Sequence, residues 1–307
     1  MQTKTLGTTG LNVSRIAFGA GPIPELMTED GVEHQLATMQ RALDVGVNWI
    51  DTAATYGNGQ SEASIGRVLH ELKAADGIQV ASKARVMPDD LHDIAGCIER
   101  SVAESLERLN IERLALLQLH NSITSSRGDE PTSLTPTDTL GPVLQTFQKL
   151  RDQGLVQNLG LTAIGQPESM KQVINSREFA TIQVPYNLLN PSAGQEMPAD
   201  FDETNYGNVI QSAFEQDMGV FAIRVFAGGA LCGNAPAKHT YKTKFFPLDL
   251  YERDRGRADT MAEELGSQDE LMQSATRFVL NDNRLSAAII GFSDPAHVDA
   301  AAACLDL

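Results

Sequence analysis

The chain has 307 residues, 42% of them apolar, and a net charge of −16 from 24 basic and 40 acidic side chains. Its length suits one large α/β barrel, an architecture that runs to about 250 residues before insertions. The acidic excess repels phosphate backbones and anionic headgroups, which argues against nucleic-acid and membrane-surface partners.

From the N-terminus, MQTKTLGTTGLNVS carries no apolar signal core. Within it, residues 4–11 place two glycines around a turn with β-prone flanks. A β-hairpin is expected there, ahead of the first barrel strand and closing the barrel floor. A short apolar run at 16–18 precedes an amphipathic helix at 33–43. A strand at 47–50, a helix at 62–72, a strand at 78–81 and a helix at 91–109 follow. The strand at 114–117 leads into an irregular stretch, 122–137, and then a helix at 140–151. After the strand at 156–161 come a helix at 170–174 and strands at 180–184 and 219–225. A second irregular stretch, 228–249, precedes a helix at 261–280 and the last strand at 287–290. Asp294-Pro295 then reads as a helix start, a cap followed by proline.

The eight strand runs are apolar on most positions instead of alternating, as strands buried on both faces are. Strand and helix alternate, which gives parallel β/α units, and eight such units favour a closed barrel. The expected fold class is α/β, a (β/α)8 TIM barrel with an N-terminal β-hairpin, with residues 1–307 forming a single domain. Loops after barrel strands gather on the functional face, so 122–137, 228–249 and residues 21–27 are expected to shape a substrate pocket. Trp49, inside a strand, reads as core. Cys97, Cys232 and Cys304 are widely spaced and form no CxxC pair. They give no zinc site and suit a reducing compartment. With no run of about 18 apolar residues, the expected location is cytoplasmic. A monomer is compatible with the length.

Three successive strands deliver polar residues to one rim. The first ends at Asp51, with Tyr56 in the following loop; the next ends at Ser82-Lys83; the third ends at Leu119-His120-Asn121. Singly, each has a plainer reading: Asp51 as a turn cap, Tyr56 as a half-buried loop residue, Lys83 as a strand exit, His120 as a rim histidine. Together, in this order, they outweigh those readings. A free phenol titrates at about 10, too high for a good acid at neutral pH. A nearby ammonium stabilises the phenolate and brings such an acid about one to three units closer to working pH. Asp51 can hold Lys83 charged and aimed, and His120 can orient a substrate oxygen. A group that protonates an oxygen while hydride reaches the carbon makes a carbonyl reductase.

The segment WIDTAATYGNGQSE, the SK pair, LLQLHN, QVPYN and the opening LGTTGLNVSRIAFG resemble the aldo-keto reductase family, over nearly the whole chain. The resemblance implies a (β/α)8 barrel that uses NADP(H) or NAD(H) on a small-molecule carbonyl or alcohol. Tyr56 would be the general acid/base, assisted by Asp51, Lys83 and His120, with no metal. A cofactor-binding regulatory subunit with little turnover is the alternative the family offers.

The same resemblance implies cofactor contacts from Asp51, Thr162, Gln183, Arg224, Val225, Phe226, Gly228, Gly229, Gly291, Ser293 and His297. Gln183 would hold the nicotinamide carboxamide, and Arg224 would stack near the ring. Gly228-Gly229 would let backbone approach the pyrophosphate. The N-terminus of the last helix would receive the adenosine phosphate. Ala163, Arg224, His297 and Ala301 depart from the family pattern, and Asp294 and Asp299 oppose a phosphate. Weak discrimination between the two dinucleotides, or a lean to NAD(H), is therefore expected.

Overall fold

The computed structural model describes residues 1–21, 27, 31–238, 240–242 and 246–305. In chain order the strands and helices are β1 (Thr3–Thr5), β2 (Asn12–Ser14), β3 (Ile16–Gly19), α1 (Val32–Asp44), β4 (Trp49–Asp51), α2 (Gln60–Glu71), β5 (Gln79–Ala84), α3 (Ile94–Leu109) and β6 (Leu114–Leu119). They continue with α4 (Pro136–Asp138), α5 (Leu144–Asp152), β7 (Val156–Thr162), α6 (Pro167–Ile174), β8 (Thr181–Pro185), α7 (Val209–Phe214), β9 (Gly219–Ile223), α8 (Leu248–Leu265), α9 (Gln268–Leu280), β10 (Ala287–Gly291) and α10 (Pro295–Ala303).

Strands β3 to β10 close a parallel barrel in the order β10-β3-β4-β5-β6-β7-β8-β9. Every residue of β6 is buried, because helices cover one face and the barrel interior covers the other. The outer core packs Ile65 and Val68 of α2, Ile98 and Val102 of α3, and Phe147 and Leu150 of α5 against the strands. Inside the barrel, Leu6, Ala17, Trp49, Leu116, Phe221 and Ile289 form a second cluster. Trp49 and Phe221 pack with ring centroids 5.1 Å apart, so Trp49 is core.

The antiparallel β1–β2 hairpin closes the barrel floor as expected. Leu6, at its turn, is fully buried in the interior cluster. Gly7 beside it has φ +49, and a Cβ there would lie 2.2 Å from the Gly219 nitrogen. The turn therefore rests directly on the start of β9, and only glycine fits that contact.

The helices depart from the sequence reading in several places: α4 begins in the stretch 122–137 expected to be irregular, α6 begins at Pro167, and α8 begins at Leu248, within the expected irregular stretch 228–249. The helix expected at 261–280 is two: α8 ends at Gly266 in the left-handed region, and the Ser267 side chain caps α9 by accepting from the Glu270 amide. The helix expected at 140–151 begins at Leu144, because Gly141-Pro142 forces a π-turn over Thr139–Val143. The helix expected at 91–109 begins at Ile94, where Asp93 accepts from the Gly96 amide at 3.0 Å. The short α7, which has no clear periodicity in the sequence, was not expected.

The irregular stretches after β6 and β9 emerge at the C-terminal ends of those strands, and a third, 186–208, follows β8. Of residues 21–27, only Gly21 and Met27 lie within the described set; so do all of 228–249 except 239 and 243–245. No helix of the described residues is long and apolar enough to cross a membrane.

Candidate active site

Asp51 is the last residue of β4, Lys83 the penultimate residue of β5, and His120 directly follows β6. Neighbouring parallel strands lie about 4.8 Å apart, so three adjacent strand ends converge on one rim. Tyr56 enters from the loop after β4, at the start of a short 3-10 turn, Tyr56–Gly59.

Lys83 Nζ joins these parts. It donates to Asp51 Oδ1 at 2.5 Å, to the Thr52 carbonyl at 2.8 Å and to Tyr56 Oη at 3.2 Å. That uses all three ammonium protons. Lys83 is 1% exposed and Asp51 3%, so the pair lies almost wholly out of water. Burial alone would lower the lysine pKa, but Asp51 and then Tyr56 outweigh it and raise it. Lys83 is thus a fixed cation throughout the physiological range.

The Asp51 carboxylate is held from two more sides. Gln183 Nε2 on β8 donates to Oδ1 at 3.1 Å, and Gln118 Nε2 on β6 donates to Oδ2 at 3.0 Å. The Oε1 atoms of both glutamines are buried and unpartnered among the described residues. A buried unpaired acceptor is costly, about 1–3 kcal/mol. The Gln183 oxygen therefore suits an incoming amide donor such as a carboxamide.

His120 stands edge-on to the Tyr56 ring, with centroids 5.7 Å apart and planes at 82°. Its Nδ1 lies 3.3 Å from Thr55 Oγ1. Burial, then the charges of Arg85 and Lys83, hold its pKa well below the ordinary histidine value. The imidazole is therefore neutral at neutral pH. On the far side of Tyr56, a Cβ on Gly21 would lie 2.5 Å from Tyr56 Cε2, so the phenol packs on bare backbone.

A second layer fixes the loop. Glu62, fully buried at the start of α2, accepts from Ser82 Oγ at 2.5 Å and pairs with Arg108 at 2.8 Å. Ser61 Oγ lies 2.8 Å from Thr52 Oγ1 and donates to the Ala20 carbonyl at 2.9 Å. The Ser-Glu of the QSE motif thus ties the tyrosine loop to β3, β5 and α3.

The other residues expected at the site lie on β7, β8, β9 and β10 or just beyond them. Thr162 is buried at the end of β7, and its hydroxyl donates to the Leu119 carbonyl at 2.9 Å. Arg224 follows β9 with φ +55. Its guanidinium carbon sits 3.8 Å from the Phe246 ring centroid, and its Nη atoms flank Gly228. The Arg224 carbonyl accepts from Asn187 Nδ2 at 2.9 Å. Val225 is buried and Phe226 half-buried in core contacts, while Gly228 and Gly229 have φ of 72° and 103°. Gly291 ends β10, opposite Gly19 of β3. Ser293 Oγ lies 3.2 Å from His297 Nδ1. Asp294 caps α10 through the Ala296 amide at 2.8 Å, and Asp299 pairs with Arg41 at 2.6 Å.

Three residues here were missed in the sequence. Gln118 had a signal: it is the one polar residue in the strand LALLQL. Arg85 stands two residues beyond Lys83, and its Nε donates to the His120 carbonyl at 3.0 Å. His34 of α1 reaches the Ser293 carbonyl through Nε2, a contact between distant segments that no local pattern marks.

Comparison with known proteins bears on the fold and the family. A solved aldo-keto reductase from Bacillus halodurans, in its holo form, superposes with a TM-score of 0.73 at 19% identity, over 100% of this chain and 91% of that one. At that identity the likeness speaks for the fold. The D-threo-aldose 1-dehydrogenase of a Pseudomonas species is 25% identical over 94% of this chain and 88% of its own length. The L-galactose dehydrogenase of Arabidopsis thaliana is 30% identical over 53% of this chain, and the match spans about half, 49%, of that relative. The sequence model described as "Aldo/keto reductase family" matches residues 15–307. The chain belongs to the aldo/keto reductase family.

Proposed function

We propose that this barrel reduces an aldehyde or ketone to an alcohol, or runs the reverse oxidation, with NADP(H) or NAD(H). The observation that carries the reading is the Lys83 ammonium bridging Asp51 and Tyr56 Oη in a nearly dry pocket. When bound, the nicotinamide supplies the hydride to the carbonyl carbon. Tyr56 Oη gives its proton to the carbonyl oxygen, and Lys83 stabilises the negative charge left on the phenol oxygen. Asp51 holds Lys83 charged and aimed, with Gln118 and Gln183 holding Asp51. The Thr55 hydroxyl donates to His120 Nδ1, which leaves the Nε2 hydrogen to orient the substrate oxygen. Solvent then returns a proton to Tyr56.

For the dinucleotide, the buried Gln183 Oε1 accepts from the carboxamide. Asp51, Thr162 and Arg224 would lie at the nicotinamide end, Gly228 and Gly229 would let backbone approach the pyrophosphate with Val225 and Phe226 beside them, and Gly291, Ser293 and His297 would hold the adenosine end. Asp299 pairs with Arg41, so it opposes a phosphate less strongly than the sequence suggested, while Asp294 caps α10 and keeps its charge. The reading includes a cytoplasmic setting and a small-molecule partner, in keeping with the free cysteines and the charge of −16. Mixing the protein with NADPH or NADH and a panel of aldehydes tests it. Oxidation of the reduced cofactor that depends on the aldehyde is expected; none with any carbonyl would overturn the reading.

The neutral imidazole carries a pH consequence. A histidine whose pKa is depressed on folding takes up its proton more readily when unfolded. Stability then falls as pH drops below about 6.5 and keeps falling until the folded histidine titrates as well. His120→Gln removes that contribution. Thermal unfolding at neutral and mildly acidic pH should show a smaller acid loss in His120→Gln than in the wild type. Equal losses would mean that the imidazole is not held neutral.

A further inference from the structure

Among the described residues Arg85 has no counter-charge. Arg224 also has no carboxylate partner there, but its guanidinium lies over the Phe246 ring beyond β9. Other half-buried arginines are provided for. Arg15 donates to the carbonyls of Leu285 and Ser286, Arg108 pairs with Glu62, and Arg284 pairs with Asp282. Arg85 has one side-chain hydrogen bond, from Nε to the His120 carbonyl. Neither Nη atom has a protein partner among the described residues, and no carboxylate pairs with it there. In a chain with 40 acidic residues, a half-buried guanidinium left unpaired is a place kept for an anion.

Its position says which anion. Arg85 directly follows the last residue of β5, two beyond Lys83, and its Nε bond to the His120 carbonyl sets it at the same rim. Its charge is felt at both Tyr56 and His120. The backbone carrying it is locked: Asn121 Oδ1 accepts from the Val86 amide at 2.9 Å, and Asn121 Nδ2 donates to the Val86 carbonyl at 2.7 Å. The residues that would hold the dinucleotide sit across the barrel, mainly on β7 to β10, so its pyrophosphate would lie on the other side. What faces Arg85 is substrate.

We propose that Arg85 anchors a carboxylate on the substrate, so that the favoured substrate is an oxo acid, an aldehyde or ketone with a carboxylate a few bonds from its carbonyl. This rests on the carbonyl-reduction reading. The two free Nη groups form the planar fork that meets a carboxylate end-on. One unpaired cation matches one negative charge; a phosphate dianion would call for a second, and Lys83 is already spent.

The test compares wild type, Arg85→Met and Arg85→Lys on succinic semialdehyde and its methyl ester, and measures benzoate and benzamide binding to the full chain by calorimetry. The wild type should favour the acid over the ester in kcat/KM, by about tenfold or more. Arg85→Met should abolish that ratio, and Arg85→Lys, which keeps the charge and loses the fork, should restore part of it. Benzoate should bind the wild type more tightly than benzamide does and lose that advantage in Arg85→Met. Benzoate binding by the wild type that is lost in Arg85→Met, with no carbonyl turned over by either protein, would uphold the carboxylate site and overturn the hydride-transfer reading. Turnover with an acid-to-ester ratio at or below one, or a ratio unchanged in Arg85→Met, would overturn the Arg85 assignment and leave that reading standing. Preference for a neutral hydroxyaldehyde over the oxo acid would likewise overturn it.

Discussion

Tyr56→Phe is expected to lower kcat/KM for carbonyl reduction by about a hundredfold to ten-thousandfold, the range that a positioned general acid contributes. The substitution removes one oxygen and little else. The ring still packs on Gly21 and stands edge-on to His120. Lys83 keeps Asp51 and the Thr52 carbonyl and loses only the 3.2 Å bond to Oη. Stability should therefore change by about 1 kcal/mol or less, and reduced nicotinamide should still bind. Steady-state kinetics and fluorescence titration of the cofactor separate these effects. Full turnover in Tyr56→Phe would remove Tyr56 from the chemistry, and lost cofactor binding would show that its role is structural.

The second large effect is expected at Lys83. Lys83→Met leaves the Asp51 carboxylate buried without its cation, and breaking a buried pair from one side costs about 3–5 kcal/mol. Asp51 keeps the two glutamine donors, which soften the loss without supplying charge. Turnover should fall along with stability, since nothing then holds the charge that develops on the phenol oxygen. The double variant Asp51→Asn/Lys83→Met should recover much of the stability and none of the activity, because it removes the stranded charge with its partner. Urea unfolding of the wild type, both single variants and the double variant measures this. A Lys83→Met protein as stable as the wild type would contradict the buried-pair geometry. The pH dependence follows from the raised lysine pKa: its contribution is complete below about 10.4 and disappears as pH rises through the folded value. The stability gap between wild type and Lys83→Met should thus narrow only in strong alkali.

The barrel was legible because a parallel strand covered on both faces has a distinctive composition. Segments such as IAFG and LALL carry it, and each proved to lie in a strand. The Asp51, Tyr56, Lys83 and His120 group was legible because strand ends fix position: a residue one step beyond an apolar run must stand at the rim. Helix boundaries were harder. The break at Gly266-Ser267 lies inside a continuous amphipathic pattern, and Gly141-Pro142 winds a π-turn that a periodicity of 3.6 does not describe. Gln118 and Arg85 were passed over for a different reason. Their meaning lies in partners from other strands: Asp51 for Gln118, and for the half-buried Arg85 the His120 carbonyl, with no acid beside it among the described residues. Sequence spacing carries neither fact. The proposed adenosine end shows the same limit, since Arg41 of α1 pairs with Asp299 and His34 of α1 reaches the Ser293 carbonyl from far away in the chain.

The central claim is that hydride passes from a nicotinamide to a carbonyl carbon while Tyr56 protonates the oxygen. The most direct measurement is a single turnover of the wild-type protein with a C4-deuterated reduced nicotinamide and an aldehyde that it accepts, followed by mass spectrometry of the alcohol. The predicted result is one deuterium on the carbinol carbon, delivered from one face of the nicotinamide only. An alcohol formed without the label, or an aldehyde consumed with the reduced cofactor left intact, would contradict it.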